Sequence, residues 1–232
     1  MVCRKAGVSS ASVCRAFAQV PRERYVGLGP WQIMEMPFMS YQTTPGADGR
    51  HLYRDVLVAI DAARLVNNGM PSVVAVLIDA LGRREGERVV HVGCGTGYYT
   101  AILAEIVRPS GRITALEIDE NLAARARQNL VGLRYVEVLH ADGTSRDFGL
   151  ADAILVNAGA THPQPTWLDS LRPGGRLVFP LTGSSGRGYV VKVRRDGAEY
   201  AARCFIQVMF LPCIGAHDVT AMARVDAALA RS

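Results

Sequence analysis

Long apolar runs are missing from this chain of 232 residues. No stretch reaches the roughly 18 consecutive apolar residues of a membrane span, so no membrane partner is predicted. Cysteine is sparse. Cys3, Cys14, Cys94, Cys204 and Cys213 form no C-x-x-C pair and no ligand spacing, which predicts no metal and reduced thiols in a cytoplasmic protein. Lysine is nearly absent: of 26 cationic residues, only Lys5 and Lys192 are lysines. The arginines are spread along the chain with no basic cluster, so the net charge of +5 predicts no nucleic-acid partner and stays compatible with an anionic substrate. The first 20 residues carry Arg4, Lys5 and Arg15 but no continuous apolar stretch, unlike a secretory signal. Internal repeats and low-complexity segments are lacking as well.

What the chain does have is alternation. Strand Arg88–Val92 precedes helix Tyr98–Val107, strand 113–117 precedes helix Glu120–Asn129, and strands follow at 135–139, 153–157 and 176–180, with a short helix near 165–170. Strands apolar on both faces, interleaved with helices, predict a doubly wound α/β fold: a parallel sheet with helices on both sides. Asp196-Gly197 joins two further strands, near 189–194 and 204–210, as an antiparallel edge hairpin. Upstream, Ser9 or Ser10 caps a helix that stops before Pro21, and Pro71 opens a helix reaching Leu81. Between them, 27–49 reads as irregular but apolar, 52–60 as a strand and 61–70 as a loop. The expected organisation is one compact domain: an extension over 1–81, a core over 82–215 and a tail over 216–232. The 27–51 segment could be a lid, a homodimer contact or both.

The most informative motif is Val89-Val90-His91-Val92-Gly93-Cys94-Gly95-Thr96-Gly97, followed one helix later by Leu116-Glu117. A glycine turn at a strand end lets backbone approach a ligand, and a carboxylate at the next strand end accepts hydrogen bonds from ribose hydroxyls. A dinucleotide fingerprint needs a third glycine at position 98, where Tyr98 stands; G-x-G-x-G is instead the pattern of S-adenosylmethionine sites. Gly93, Gly95, Thr96 and Gly97 are thus expected on the methionine and ribose side, Glu117 on the ribose, Asp142 and Gly143 at the adenine, and Asn157 near the sulfonium. Asp142-Gly143 could also be only a turn, and Asn157 only a cap.

In their order along the chain these residues resemble the protein-L-isoaspartate O-methyltransferase family. Val20-Pro21-Arg22-Glu23-Arg24-Tyr25-Val26 is similar to its N-terminal segment, Tyr53-Arg54-Asp55 to the stretch before its substrate loop, Asp152-Ala153-Ile154-Leu155-Val156-Asn157-Ala158 to its fourth core strand, and 174–180 to its fifth. The resemblance implies a class I methyltransferase fold, S-adenosylmethionine as cofactor and a carboxylate as acceptor. The chain departs from the family at its substrate loop. Where repair enzymes carry Thr-x-Ser, this chain reads Asn67-Asn68-Gly69-Met70, and no serine or threonine lies between Asp61 and Met70.

That departure shapes the acceptor reading. A carboxylate with pKa near 4 is already ionised at pH 7 and needs orientation rather than a base. Asn67 and Asn68 are the expected orienting groups, with Arg64 as an anion contact; each could equally be an ordinary polar loop residue. His162 is the candidate base for an amine or hydroxyl acceptor, or else a surface histidine. The expected activity is methylation of a carboxylate on a peptide or small metabolite rather than general protein repair. Nitrogen or hydroxyl methylation and a catalytically silent adaptor are the alternatives.

Overall fold

The computed structural model describes residues 2–36, 40–82 and 84–231. Its centre is a seven-stranded sheet in the order β11-β10-β9-β8-β5-β6-β7. Strands β5 (Arg88–Val92), β6 (Arg112–Glu117), β7 (Val136–His140), β8 (Ala151–Val156) and β9 (Leu171–Thr182) run parallel. Strands β10 (Arg187–Asp196) and β11 (Glu199–Met209) close one edge as an antiparallel hairpin. This is the doubly wound sheet with an edge hairpin that the alternation predicts.

Period-two burial explains the two-sided packing. Val89, Ile113, Ala153, Leu155 and Val178 join one core with helices α2 (Ala11–Gln19), α3 (Pro71–Leu81), α4 (Tyr98–Val107) and α5 (Glu120–Asn129). Their strand neighbours Val90, Val92, Leu116, Ile154, Val156, Leu177 and Phe179 join a second core around Trp167 of α6 (Pro165–Asp169). Each fully buried Val, Leu, Ile or Phe contributes about 1.5–3 kcal/mol, so the alternation fixes the strand register.

The helix ends follow local chemistry. Ser10 accepts from the Val13 amide at the start of α2. Pro71 sits in the first turn of α3, and Gly82 ends that helix at φ 62°. Asp119 accepts from the Leu122 amide at the start of α5.

Segment 27–49 corrects the expectation of irregular chain. Strands β1 (Gln32–Met34) and β2 (Gln42–Thr43) pair with β3 (Leu57–Asp61) and β4 (Val66–Asn67) in a four-stranded antiparallel sheet. Trp31, Ile33, Leu52, Val56 and Val58 form its own small core. The strands are two to five residues long, too short for a period to show between prolines. Residues 61–70, read as a loop, contribute β4, and the strand expected over 52–60 begins only at Leu57 after a short 3-10 turn. Pro37, Phe38 and Met39 of the expected lid lie outside the described residues. The tail holds α7 (Val219–Leu229), none of whose side chains is buried.

Candidate active site

The strand order reverses between β5 and β8, and the crevice at that switch point lies beyond the carboxyl ends of the strands. Gly93 follows β5 and Asn157 follows β8; the Asn157 amide donates to the Val92 carbonyl at 2.9 Å. The turn is folded back against β6, where Gly93 and Cys94 both donate to the Leu116 carbonyl, at 2.9 and 3.1 Å. Gly95 adopts φ 56° with nothing within 4 Å of where a Cβ would stand, so its backbone faces open space. Gly97, at φ 95°, would put a Cβ 2.8 Å from Leu130. Asn129 of α5 holds the turn by donating to the Thr96 carbonyl at 2.9 Å.

Glu117 ends β6 nearly buried and bridges this turn to the next. Its Oε2 accepts from the Gly95 amide at 2.7 Å and its Oε1 from the Asp119 amide at 3.1 Å. Asp142 follows β7. Its Oδ1 accepts from both the amide and the hydroxyl of Thr144, at 2.8 and 2.7 Å. Gly143 packs so tightly that a Cβ would lie 2.5 Å from Val92 Cγ1, while its carbonyl accepts from Trp167 Nε1 at 2.7 Å. Two buried oxygens here have no hydrogen-bond partner among the described residues: Thr96 Oγ1 and Asn157 Oδ1. Open backbone, orphaned acceptors and a carboxylate at the neighbouring strand end together suit a polar nucleoside with an amino-acid arm.

The loop carrying Cys213 and Gly215 closes over Asp142, and sequence reasoning missed it. A Cβ on Gly215 would stand 2.4 Å from Thr144 Oγ1 and 3.0 Å from Asp142 Oδ2. Burial, followed by the negative charges of Asp142 and Glu117, pushes the Cys213 thiol up to about 12. Cys94 is raised for the same reasons, burial first and then Glu117, so neither thiol is a nucleophile at neutral pH.

The segment expected to orient the acceptor centres on Arg22, whose motif was noticed but given no role. Arg22 is 1% exposed. Its Nε donates to Asn68 Oδ1 at 2.9 Å, its Nη1 to the Leu52 carbonyl at 3.2 Å, and its Nη2 to the Val56 and Gly69 carbonyls, each at 2.9 Å. It forms no ion pair among the described residues, and its guanidinium lies 5.8 Å from the Tyr98 ring centroid. Arg22 stands beside Glu23 and Arg24, so its local sequence carried no signal of its burial. Arg22 also fixes how the Asn68 amide points: Oδ1 accepts from the guanidinium, and Nδ2 makes no hydrogen bond among the described residues. Asn67 is differently occupied. Its Oδ1 accepts from the Gly69 amide at 2.9 Å and its Nδ2 donates to the Leu65 carbonyl at 3.1 Å. Tyr99, in the first turn of α4 after the glycines, donates to the Gly69 carbonyl at 3.1 Å and ties the segment to the cofactor turn.

Arg64 and His162 are both engaged. Arg64 pairs with Asp119 at 2.5 Å and Asp61 at 2.6 Å, which raises its pKa further, Asp119 contributing most. Thr161 donates its hydroxyl to the Ala216 carbonyl and so accepts from His162 Nδ1 at 3.1 Å; His162 Nε2 then accepts from the Gln164 amide at 3.2 Å. Both ring nitrogens are occupied. Among the described residues no group of histidine, cysteine, aspartate or glutamate is arranged to hold a metal, and no helix is long and apolar enough to cross a membrane.

A doubly wound sheet with this glycine turn, and an acid ending the next strand, defines the S-adenosylmethionine-dependent methyltransferase class. Within that class, the model of the protein-L-isoaspartate(D-aspartate) O-methyltransferase family matches residues 2–218, and the chain belongs to that family. Relatives named protein-L-isoaspartate O-methyltransferase include one from Rhodopseudomonas palustris, 30% identical over 91% of this chain and 88% of its own length. Another, from Pyrobaculum neutrophilum, is 33% identical over 90% of this chain and 93% of its own. Among solved structures, a protein-L-isoaspartate O-methyltransferase superposes with a TM-score of 0.77 at 23% identity, covering 92% of this chain and 64% of that one. A putative one from Plasmodium falciparum, in complex with S-adenosyl-L-homocysteine, gives 0.68 at 20% identity over 91% and 94%. At these identities the structures establish the fold.

Proposed function

We propose that this protein transfers a methyl group to the carboxylate of a peptide, with an isoaspartyl residue as the first acceptor to test. The observation that carries this is a site offering an oriented amide donor and no free base. Arg22 occupies Asn68 Oδ1 and leaves Nδ2 as the free end of that amide, while His162 has both nitrogens committed. A carboxylate is ionised at neutral pH, so a donor that grips one oxygen and aims the other is sufficient.

The cofactor residues take the roles their positions suggest. Gly93, Gly95, Thr96, Gly97 and Asn157 would hold the methionine arm, Glu117 the ribose hydroxyls, and Asp142 with Gly143 the adenine. When bound, S-adenosylmethionine supplies a methyl group activated by a sulfonium, and the C–S electron pair leaves with sulfur, so no proton has to move. Bringing the acceptor oxygen close to that carbon accounts for about 7–11 kcal/mol of the barrier. Opposite charges fade as the oxygen and sulfonium react, so a site from which water is excluded favours the step. The small sheet with its core around Trp31, Ile33 and Val58 adjoins the Asn68 segment, the Asn68 backbone amide donating to the Val58 carbonyl at 2.8 Å.

Asn68→Asp is the sharpest variant. It keeps an oxygen for Arg22, removes the donor and places a negative charge beside the acceptor. A loss of about hundredfold in kcat/KM, near 2.7 kcal/mol, is expected. His162→Ala should leave the rate within about threefold; a loss of 10²-fold would instead favour an amine or hydroxyl acceptor.

A second reading rests on the hydroxyl-free stretch 61–70: a specialised peptide or small-metabolite carboxylate in place of general repair. The family and its relatives point toward isoaspartyl substrates, and nothing favours a small metabolite over them. A radiolabelled-methyl assay compares an isoaspartyl peptide, its aspartyl counterpart and a panel of small carboxylates. Transfer to the isoaspartyl peptide alone supports the main reading. Transfer only to a member of the panel supports the second, and cofactor binding without any transfer supports the adaptor.

A further inference from the structure

The end of the sheet opposite the glycine turn carries a second, chemically different cavity. An open groove of about 490 Å³ lies between the C-terminal end of α3, at Leu81 and Gly82, and strands β9 and β10. Its walls include Arg84, Arg176, Lys192 and Arg194. The strand register sharpens the picture. Arg194 stands directly opposite Arg176, and Lys192 directly opposite Arg203 of β11. Like charges facing each other across strands are destabilising, and here two such pairs occupy adjacent rows.

The neighbouring acids neutralise only Arg176. Glu87 is taken up by Arg176 through two bonds of 2.8 Å, and Arg176 also caps α3 at the Leu81 and Gly82 carbonyls. Asp152, on the groove wall, is held by Arg172 at 3.0 Å and by the Arg88 amide at 2.8 Å. Asp79 accepts from Ser9 and Ser10. Lys192, Arg194, Arg203 and Arg84 have no ion-pair partner among the described residues. Partial burial, followed by Arg203, Arg176 and Arg194, holds the Lys192 ammonium below its ordinary value.

We propose that this groove binds a small phosphate-bearing anion and recognises a diphosphate group. Arginine forks match phosphate oxygens two at a time, and lysine adds a compact charge between them. Facing residues lie about 5 Å apart across strands, and residues two apart on one strand about 6.6 Å. The unpaired cations therefore spread over two rows, wider than one phosphate and suited to two linked ones. The inference stands independently of the methyl-acceptor reading, because no cofactor or acceptor residue is shared.

The test is calorimetric titration of the full chain, at fixed ionic strength, with inorganic pyrophosphate and with ADP. Saturating S-adenosylhomocysteine keeps the adenine pocket closed to ADP. Saturable one-site binding at least tenfold tighter than that of inorganic phosphate is expected. Equal affinity for pyrophosphate and ADP assigns the site to the diphosphate alone; tighter ADP binding adds a nucleoside contact, and both support the proposal. The K192Q/R194Q double variant should lose at least tenfold in affinity. It removes facing like charges, so its melting temperature without ligand should equal or exceed the parent's. The exposed Arg203→Gln change supplies the same reading should the double variant misfold. No saturable heat, affinity equal to that of sulfate, or undiminished binding by the variants would overturn the proposal.

Discussion

Replacing Arg22 with methionine puts the central structural inference at risk. Methionine keeps much of the side-chain volume and removes every donor, leaving Asn68 Oδ1 and the Leu52, Val56 and Gly69 carbonyls without the partner they share. Charged-donor hydrogen bonds contribute about 1.5–3 kcal/mol each, but four of them do not add, because the variant also escapes the desolvation cost of a buried guanidinium. The four buried acceptors left unpaired cost about 1–3 kcal/mol each before relaxation, so after these offsets a net loss of about 3–5 kcal/mol is expected. Urea slopes of about 2–3 kcal/mol/M for a chain of this size make that a midpoint shift of about 1–2 M. Arg22→Lys keeps the charge without the fork and should fall between the two. A midpoint for R22M within about 0.3 M of the parent would refute the argument, since the guanidinium could then not be what holds residues 52–69 together. In active protein the same variant should raise the peptide KM by more than its effect on cofactor affinity, because Arg22 touches the acceptor segment and not the glycine turn.

Other consequences are equally direct. His91 is fully buried, and burial lowers its pKa from 6.5 to about 3 while Nδ1 stays bonded to Thr100 at 2.9 Å. Between those values the unfolded chain binds a proton and the native one does not. Stability should therefore fall as pH drops below 6.5, by about 1.4 kcal/mol per pH unit from this group; urea titrations from pH 7 to 4 should show a flatter profile for His91→Gln. Glu117→Gln retains an acceptor for the Gly95 amide but sets its NH2 against the Asp119 amide, so calorimetry should show cofactor binding weakened by at least about tenfold alongside a stability loss of about 1–3 kcal/mol. Gly143→Ala forces a methyl to within 2.5 Å of Val92 Cγ1 in the second core. It should cost about 1–3 kcal/mol in thermal unfolding and weaken cofactor binding in parallel.

The core was legible because its signals are local and repeated. Five parallel strands with caps, glycines and prolines between them leave little freedom, and α3, α4, α5 and β5 begin and end where composition places them. The extension was not legible for the opposite reason. Strands of two or three residues have no period, and β1 to β4 are specified by a distant cluster around Trp31, Leu52 and Val58. Arg22 was hidden by its neighbours. Nothing local distinguishes an arginine that caps a surface turn from one whose partners lie 30 to 47 residues away. The same holds for Gly215, whose closeness to Asp142 is created only when the last strand returns across the sheet edge.

The two arginines that reach the acceptor segment are unequal tethers, and the inequality indicates where specificity resides. Arg64 joins Asp61 to Asp119, two residues beyond Glu117, but its side chain is half exposed, and such pairs are screened and weak. Arg22 is sealed from water and joins Asn68 and Gly69 to two further stretches of chain, so its bonds act in a low dielectric and cannot be traded for water. The Asn68 end of the segment is therefore fixed and the Arg64 end compliant. On the proposed acceptor reading, a fixed amide beside a compliant entrance would grip the reacting carboxylate in one geometry while the flanking peptide varies.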